Sequence, residues 1–394
     1  MAPGLSIKVA SLGAIVSALW GVSVVAHASD DIPLPKQVTW TAYDVGSTGY
    51  NQAVAIGSAL KNKLGVNLRV LPGKNDVARL APLRDGKVDF SSAGSDSIYA
   101  QEGMFVFGTE NWGPIPIRML LMNISDGAST AMAVTLDSGI EKVADLKGKR
   151  FAIVKGSPVS HQLGSALLAF AGLTLDDVQQ IEASGFAATA QALQDNSAEA
   201  YVTATHTPNN IKLHASPRGL KFLPFPHDDE EGWKRVKEVV PWMFKHTATL
   251  GPGIPPEGIE VATTAYPLLI ALEETPEDLA YGMTKAMFVL HDDYADGAPG
   301  ANGWRLSSQK LDEVFQPIHP GAIRYYQEIG VWTPERQKVH EANLHRQSII
   351  LDAWEAFFPN APKGDEAAFE KAWLSARADA LTKAGLVTII EGDD

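Results

Sequence analysis

The 394-residue sequence contains no cysteine. Disulfides, thiolate metal sites and a lipid-modified N-terminal cysteine are excluded together. Long apolar runs are also missing after the first thirty residues, where nothing approaches the ~20 consecutive apolar residues of a membrane helix. Positive charge is short: 33 Lys and Arg stand against 46 Asp and Glu, a net of −13. An acidic chain is repelled by nucleic acid, so that class of partner is not expected. Local geometry can still hold a small anion whatever the total charge. Enzyme signatures are absent too. There is no Gly-x-Ser-x-Gly elbow, no His-Glu-x-x-His, no Gly-x-x-x-x-Gly-Lys-Ser/Thr loop and no EF-hand loop. The acidic runs Asp228–Glu231 and Asp292–Asp293 read as solvated faces. His340 and His345, five apart, fall on different helix faces. No catalytic residue, metal site or cofactor is expected.

What is present begins at the N-terminus. Lys8 is the only charged side chain before Asp30, apolar and small residues fill Val9 to Ala26, and Ala26-His27-Ala28 has the A-x-A cleavage pattern. These features predict a signal peptide over residues 1–28, cleaved after Ala28. The competing reading is an N-terminal membrane anchor, because the run approaches spanning length. The mature chain, one charge more negative without Lys8, is expected to be soluble and periplasmic, with no membrane anchor.

The mature chain then alternates. Strands are predicted at 38–43, 68–71, 88–92, 118–123, 131–135, 151–154, 178–181, 200–203 and 220–223, with helices from Tyr50, at 76–84 and at 161–171. Strand and helix in turn signal a parallel α/β sheet. From Val261 the chain returns to strand and then becomes helical, at 276–291, 307–315, 321–329, 334–357 and 365–383. The segment 292–302 reads as a surface loop. The expected organisation is one lobe from 29–130 joined by a return segment 262–330, a second lobe from 131–261, and a helical extension from 331–394.

Two loops share one design. Gly46-Ser47-Thr48-Gly49 and Gly156 to Ser160 each follow a strand and precede a helix, placing glycine, hydroxyls and free N–H groups at a helix N-terminus. That arrangement favours an anion, and in open α/β sheets such loops lie where ligands bind. Taken one at a time, Ser and Thr there can equally be N-caps. Ser95 and Asp96 follow the third strand, and Asp96 reads first as a helix cap. Thr205 and His206 occupy the equivalent loop of the second unit, with His206 either cleft-facing or structural. Tyr50 and Tyr99 are candidate apolar walls. The candidate ligand set is Gly46, Ser47, Thr48, Gly49, Tyr50, Ser95, Asp96, Gly156, Ser157, Ser160, Thr205 and His206. Lys74, Arg118, Lys155 and His161 are candidate counter-charges, and Thr48 and Ser157 are expected on exposed loop tips.

The run Val70-Leu-Pro-Gly-Lys-Asn-Asp-Val-Ala-Arg-Leu80, with Gly86-Lys-Val-Asp-Phe90 and Gly94-Ser-Asp96, resembles the solute receptors of the TAXI branch of TRAP transporters. So do Asp145-Leu-Lys-Gly-Lys-Arg150 with Gly156-Ser157, Pro276 to Lys285, and His319 to Tyr326. The resemblance runs from about Val38 to Gly330. It implies a type II periplasmic binding-protein fold, two α/β lobes around a ligand cleft. It also implies capture of a small organic anion, a carboxylate or amino acid, for a TRAP-type membrane permease. The family's usual tyrosine pair in the first helix is replaced by Ala53 and Val54, and 331–394 has no counterpart in the shorter members. The alternatives are a ligand-sensing periplasmic partner of a membrane signalling receptor and a periplasmic enzyme, the last without any catalytic arrangement in the sequence.

Overall fold

The computed structural model describes Met1 and residues 32–389; the expected signal peptide beyond Met1 lies outside the described residues. The chain builds two sheets of the same design. The first lobe runs β1 (Gln37–Ala42), α1 (Thr48–Leu64), β2 (Asn67–Pro72), α2 (Asp76–Arg84), β3 (Phe90–Ala93), α3 (Asp96–Glu102) and β4 (Ile117–Met122). The second holds β5 (Thr130–Val134), β6 (Arg150–Val154), α4 (Pro158–Ala169), β7 (Gln179–Ala183), α5 (Phe186–Gln194), β8 (Ala200–Ala204), α6 (Pro208–His214), β9 (Lys221–Phe222) and α7 (Glu230–Val239). The hairpin β10 (Phe244–Ala248) and β11 (Ile259–Thr263) leads back to β12 (Leu268–Leu272).

Sheet orders are β2-β1-β3-β12-β4 and β7-β6-β8-β5-β9. In each, three parallel strands meet one antiparallel strand from a remote part of the chain: β12 against β3 and β4, β5 against β8 and β9. The chain therefore crosses between lobes twice, at 123–129 and 264–267. The crossings are bonded to each other, Asn123 N–H to the Pro267 carbonyl at 2.8 Å and Tyr266 N–H to the Asn123 carbonyl at 2.9 Å. This is the two-lobed periplasmic binding-protein architecture, with the carboxyl ends of the parallel strands facing the space between the lobes.

Burial explains the strand readings. Val38, Trp40 and Ala42 of β1 and Phe90 of β3 enter one core, while Phe151 and Ile153 of β6 and Met132 and Val134 of β5 enter another. Each Val, Ile, Phe or Met among them, fully buried, contributes about 1.5–3 kcal/mol.

The helical C-terminal part comprises α8 (Glu277–Val289), α9 (His291–Tyr294), α10 (Pro320–Glu328), α11 (Pro334–Phe357) and α12 (Glu366–Lys383). The last two form a small core of their own around Ile350, Phe369, Trp373 and Leu381. Thr333 and Asp365 cap them through their side chains. They are fastened to the first lobe by Glu102, at the end of α3, which accepts from Arg346 at 2.7 and 2.8 Å and from Arg377.

Three expectations are corrected. The helix expected at 307–315 is only a 3₁₀ turn, Leu306–Ser308, followed by turns; Gln309, buried, instead donates to the Met122 carbonyl at 2.8 Å. The segment 292–302 is not a surface excursion, because Tyr294, Ala298 and Ala301 are buried in the first core. α1 and α4 start at Thr48 and Pro158, earlier than periodicity placed them, because Ser47 and Ser157 cap them and draw the hydroxyl-rich loops into the first turn.

Candidate functional site

The cap geometry just described brings the two Gly/Ser loops face to face. Gly46 and Gly156 both adopt left-handed φ, 84° and 66°, with open space where a Cβ would sit. Each makes the sharp turn that lifts the chain off its strand into the helix, a conformation glycine takes without steric cost. Between the lobes lies a cavity of about 110 Å³ lined from both sides, by Ser47, Thr48, Asp76, Arg79 and Ser95 on one and Ser157, Ser160, Thr203 and Thr207 on the other. Tyr43, Phe186 and Tyr266 supply aromatic walls, and Val154, Leu163 and Val202 aliphatic ones.

At its base is a charged group that sequence reasoning left without a role. Asp76 and Arg79, one turn apart on α2, and Asp96, at the start of α3, are all buried, with exposures of 1, 2 and 0%. Arg79 grips Asp96 with Nε at 3.0 Å and Nη2 at 2.6 Å, and its guanidinium lies 4.7 Å from the Tyr43 ring centre. Asp76 reaches across to the other lobe: its Oδ2 accepts from Ser157 Oγ at 2.9 Å and from Val159 N–H at 3.0 Å. Burial and the neighbouring Asp96 charge raise the Asp76 pKa to about 7, against the opposing pull of Arg79 and those two donors.

Three polar atoms at this cavity are buried without a hydrogen-bond partner: Thr48 Oγ1, Asp76 Oδ1, which lies 3.8 Å from Arg79 Nη2, and Arg79 Nη1. A buried polar group left unpaired costs about 1–3 kcal/mol, more when charged. One donor, one acceptor and one hydroxyl around a shared space are the features of a site built to receive polar groups from elsewhere.

The expected residues divide. Ser47, Thr48, Ser95, Ser157 and Ser160 line the cavity. Thr48 and Ser157 are not on exposed tips; they are 5 and 1% exposed, because the facing lobe covers both loops. Gly46, Gly49 and Gly156 shape the loops without lining the cavity, and α1 approaches Tyr266 so closely that a Cβ on Gly49 would stand 3.0 Å from its hydroxyl. Asp96 is not a side-chain cap of the usual kind. Its Oδ1 accepts from Gly94 N–H at 2.6 Å and its Oδ2 belongs to Arg79.

Tyr50 lies on the far side of α1, in an open groove with Val54 and Lys61. Tyr99 is packed edge-on against Phe105, in the core. Thr205 Oγ1 accepts from Ser129 N–H at 3.3 Å, tying β8 to the start of β5. His206 sits in a separate cavity of about 20 Å³ between the hinge crossings, its pKa lowered by burial to about 4.

Of the candidate counter-charges, Arg118 serves the extension, bonded to Gln347 and to Glu273 at 3.2 Å. Lys155 pairs with Glu182 at 3.0 Å on the surface, Lys74 is exposed, and His161 Nδ1 lies 3.0 Å from the Ser157 carbonyl. None of the four lines the cavity. Asp76 and Arg79 were passed over because they fall on what periodicity reads as the polar face of α2. The available signal was an acid and a base one turn apart inside the quoted Asn75-Asp-Val-Ala-Arg79 run.

A match to the NMT1-like family covers residues 41–330, three quarters of the chain and all of both sheets except the first residues of β1. The chain belongs to the NMT1-like family. Solved structures similar to it include the alkanesulfonate-binding protein SsuA from Xanthomonas axonopodis pv. citri bound to MOPS, at 14% identity over 90% of this chain and 95% of that one, TM-score 0.45. They also include a binding-protein component of an ABC phosphonate transporter from Pseudomonas aeruginosa, at 11% identity over 89% and 99%, TM-score 0.47. A third is the amino acid ABC transporter substrate-binding protein AbpA from Streptococcus pneumoniae bound to L-arginine, at 13% identity over 68% and 96%, TM-score 0.41. The family match ends at Gly330, so α11 and α12 stand outside it.

Proposed function

We propose that this NMT1-like protein is a periplasmic solute receptor that closes on a small zwitterionic carboxylate, an amino acid or close relative, and hands it to a TRAP-type permease. The observation that carries the reading is the trio of unpartnered buried atoms, Thr48 Oγ1, Asp76 Oδ1 and Arg79 Nη1, around one inter-lobe cavity. Arg79 Nη1 would donate to the solute carboxylate, and Asp76 Oδ1 would accept from its ammonium. A bare carboxylate fits less well, since two acidic groups flank one guanidinium already committed to Asp96. Closure follows from the same residues, because Asp76 is held by Ser157 and Val159 of the opposite lobe and Ser95 accepts from Trp242 at 2.9 Å. A solute held by Thr48, Asp76 and Arg79 of the first lobe and covered by Ser160, Thr203 and Thr207 of the second favours the closed form by its differential affinity. Transfer to a TRAP permease rests on the order of the TAXI-like motifs, and deleting an adjacent permease gene should abolish uptake while leaving binding to the purified protein intact.

Filling the cavity tests its placement. Ser157→Trp or Thr48→Trp should reduce affinity at least a hundredfold in calorimetric titration, with the circular dichroism spectrum unchanged. Retained affinity in both variants would put the solute elsewhere. The Asp76 carboxyl gives a second handle. An ammonium prefers the ionised carboxylate, so affinity should be level from about pH 7 up to the titration of the solute's own ammonium, and should fall below pH 7 as Asp76 takes up a proton. The limiting slope is about tenfold per pH unit. Asp76→Asn should flatten that profile at the low-affinity end.

A further inference from the structure

A second cavity, of about 400 Å³, lies directly behind the first. Ser95 lines both, and the Trp242 Nε1 to Ser95 Oγ hydrogen bond of 2.9 Å forms part of the wall between them. Its interior is apolar from both lobes: Ile98, Met119, Met122 and Leu268 on one side, Trp242 and Phe244 on the other. Two methionines make a wall that adapts to a flexible aliphatic partner. The volume falls within the range of small-molecule sites, about 300–1,000 Å³.

Four charges stand at the mouth, and three are already matched. Lys310 lies 3.3 Å from Glu313 and 4.7 Å from the centre of the Phe244 ring, and Asp312 takes Arg336 at 3.1 Å. Lys237 donates to the Pro241 carbonyl at 3.0 Å and has no carboxylate partner among the described residues. Burial and the nearby Lys310 lower its pKa, against the Glu313 charge, which raises it. An anion beside Lys237 would relieve that strain on its charge.

We infer that this cavity is a second binding site, for an amphipathic monoanion whose aliphatic chain lies along Met119, Met122 and Trp242 and whose head meets Lys237. Because both lobes contribute walls, occupancy is linked to their relative position and so to affinity at the first cavity. The solute reading is not a premise here, since the second cavity has its own lining and its own cation.

The test is calorimetric titration of the mature full-length protein with decanoate, butyrate and decylamine below their aggregation concentrations. Decanoate should bind saturably with one site, butyrate at least tenfold more weakly, and decylamine not measurably. Lys237→Glu, a change at the exposed mouth, should weaken decanoate at least tenfold with the circular dichroism spectrum unchanged. Ser157→Trp, which fills only the first cavity, should leave decanoate binding in place. The inference is overturned if decanoate does not saturate, if decylamine binds as well, if Lys237→Glu has no effect, or if Ser157→Trp alone removes decanoate binding.

Discussion

Replacing Arg79 with methionine should lower stability by about 3–5 kcal/mol and abolish solute binding. The guanidinium holds Asp96 through Nε and Nη2, while its Nη1 is one of the three atoms at the cavity without a hydrogen-bond partner, so the substitution acts twice. Methionine matches the aliphatic stem but leaves a fully buried carboxylate facing no cation, and an uncompensated buried charge is among the most costly single changes. Arg79→Lys should recover part of the stability and little of the binding. An ammonium can meet Asp96, but it lacks the fork that grips the carboxylate while offering Nη1 elsewhere. Chemical denaturation followed by tryptophan fluorescence reads the first effect, and calorimetry reads the second. An Arg79→Met protein with unchanged stability would mean that the Arg79–Asp96 pair does not hold the fold, and one with unchanged binding would place the solute elsewhere.

The second large effect lies far from the cavity. Glu102→Ala should destabilise the first lobe by about 3–5 kcal/mol, because it leaves Arg346 of α11 and Arg377 of α12 buried together without an anion. Burial pushes the Glu102 pKa up, yet the two guanidiniums hold it below the ordinary glutamate range. A depressed carboxylate pKa stabilises the fold fully above its unfolded value, and that contribution is lost as pH falls through the lower folded one. The wild-type protein should therefore lose stability in acid more steeply than Glu102→Ala does. Since α3 carries Asp96 at one end and Glu102 at the other, the extension also braces the helix that positions Arg79. Equal stability of wild type and variant across pH 3–7 would reduce the extension to an independent appendage.

The sheets were legible because each strand is a short apolar run between loops of glycine and small polar residues. The extension was legible because α11 and α12 carry clear starts, Thr333-Pro334 and Asp365-Glu366. Short helices rich in alanine or charge were harder. α5 and α7 are short and bury only a few residues each, Thr189, Ala190 and Leu193 in one and Gly232, Trp233 and Val236 in the other, so the helical spacing of Trp233, Val236 and Val240 is carried by a stretch that otherwise reads as a run of charge. At the site, the glycine and hydroxyl loops could be found from their position between strand and helix. What could not be found was their depth: Ser157 and Thr48 are covered by the opposite lobe, and no local pattern records a residue eighty positions away. The same distance hid the Asp76–Ser157 bond and the burial of Arg79, since charged residues on a helix face are ordinarily solvated.

On the proposed reading, the inter-lobe cavity takes a solute carrying both an acceptor for Arg79 and a donor for Asp76. The most direct measurement is the melting temperature of the mature protein against matched solutes: amino acids, the same acids without the amino group, and the same amines without the carboxylate. At 100 times its dissociation constant a ligand adds about 2.7 kcal/mol to the folded state. A rise with at least one amino acid and none with its two truncated analogues, absent in Ser157→Trp, is the predicted result. No rise with any amino acid, or an equal rise with the deaminated acid, would rule out a zwitterion in this cavity.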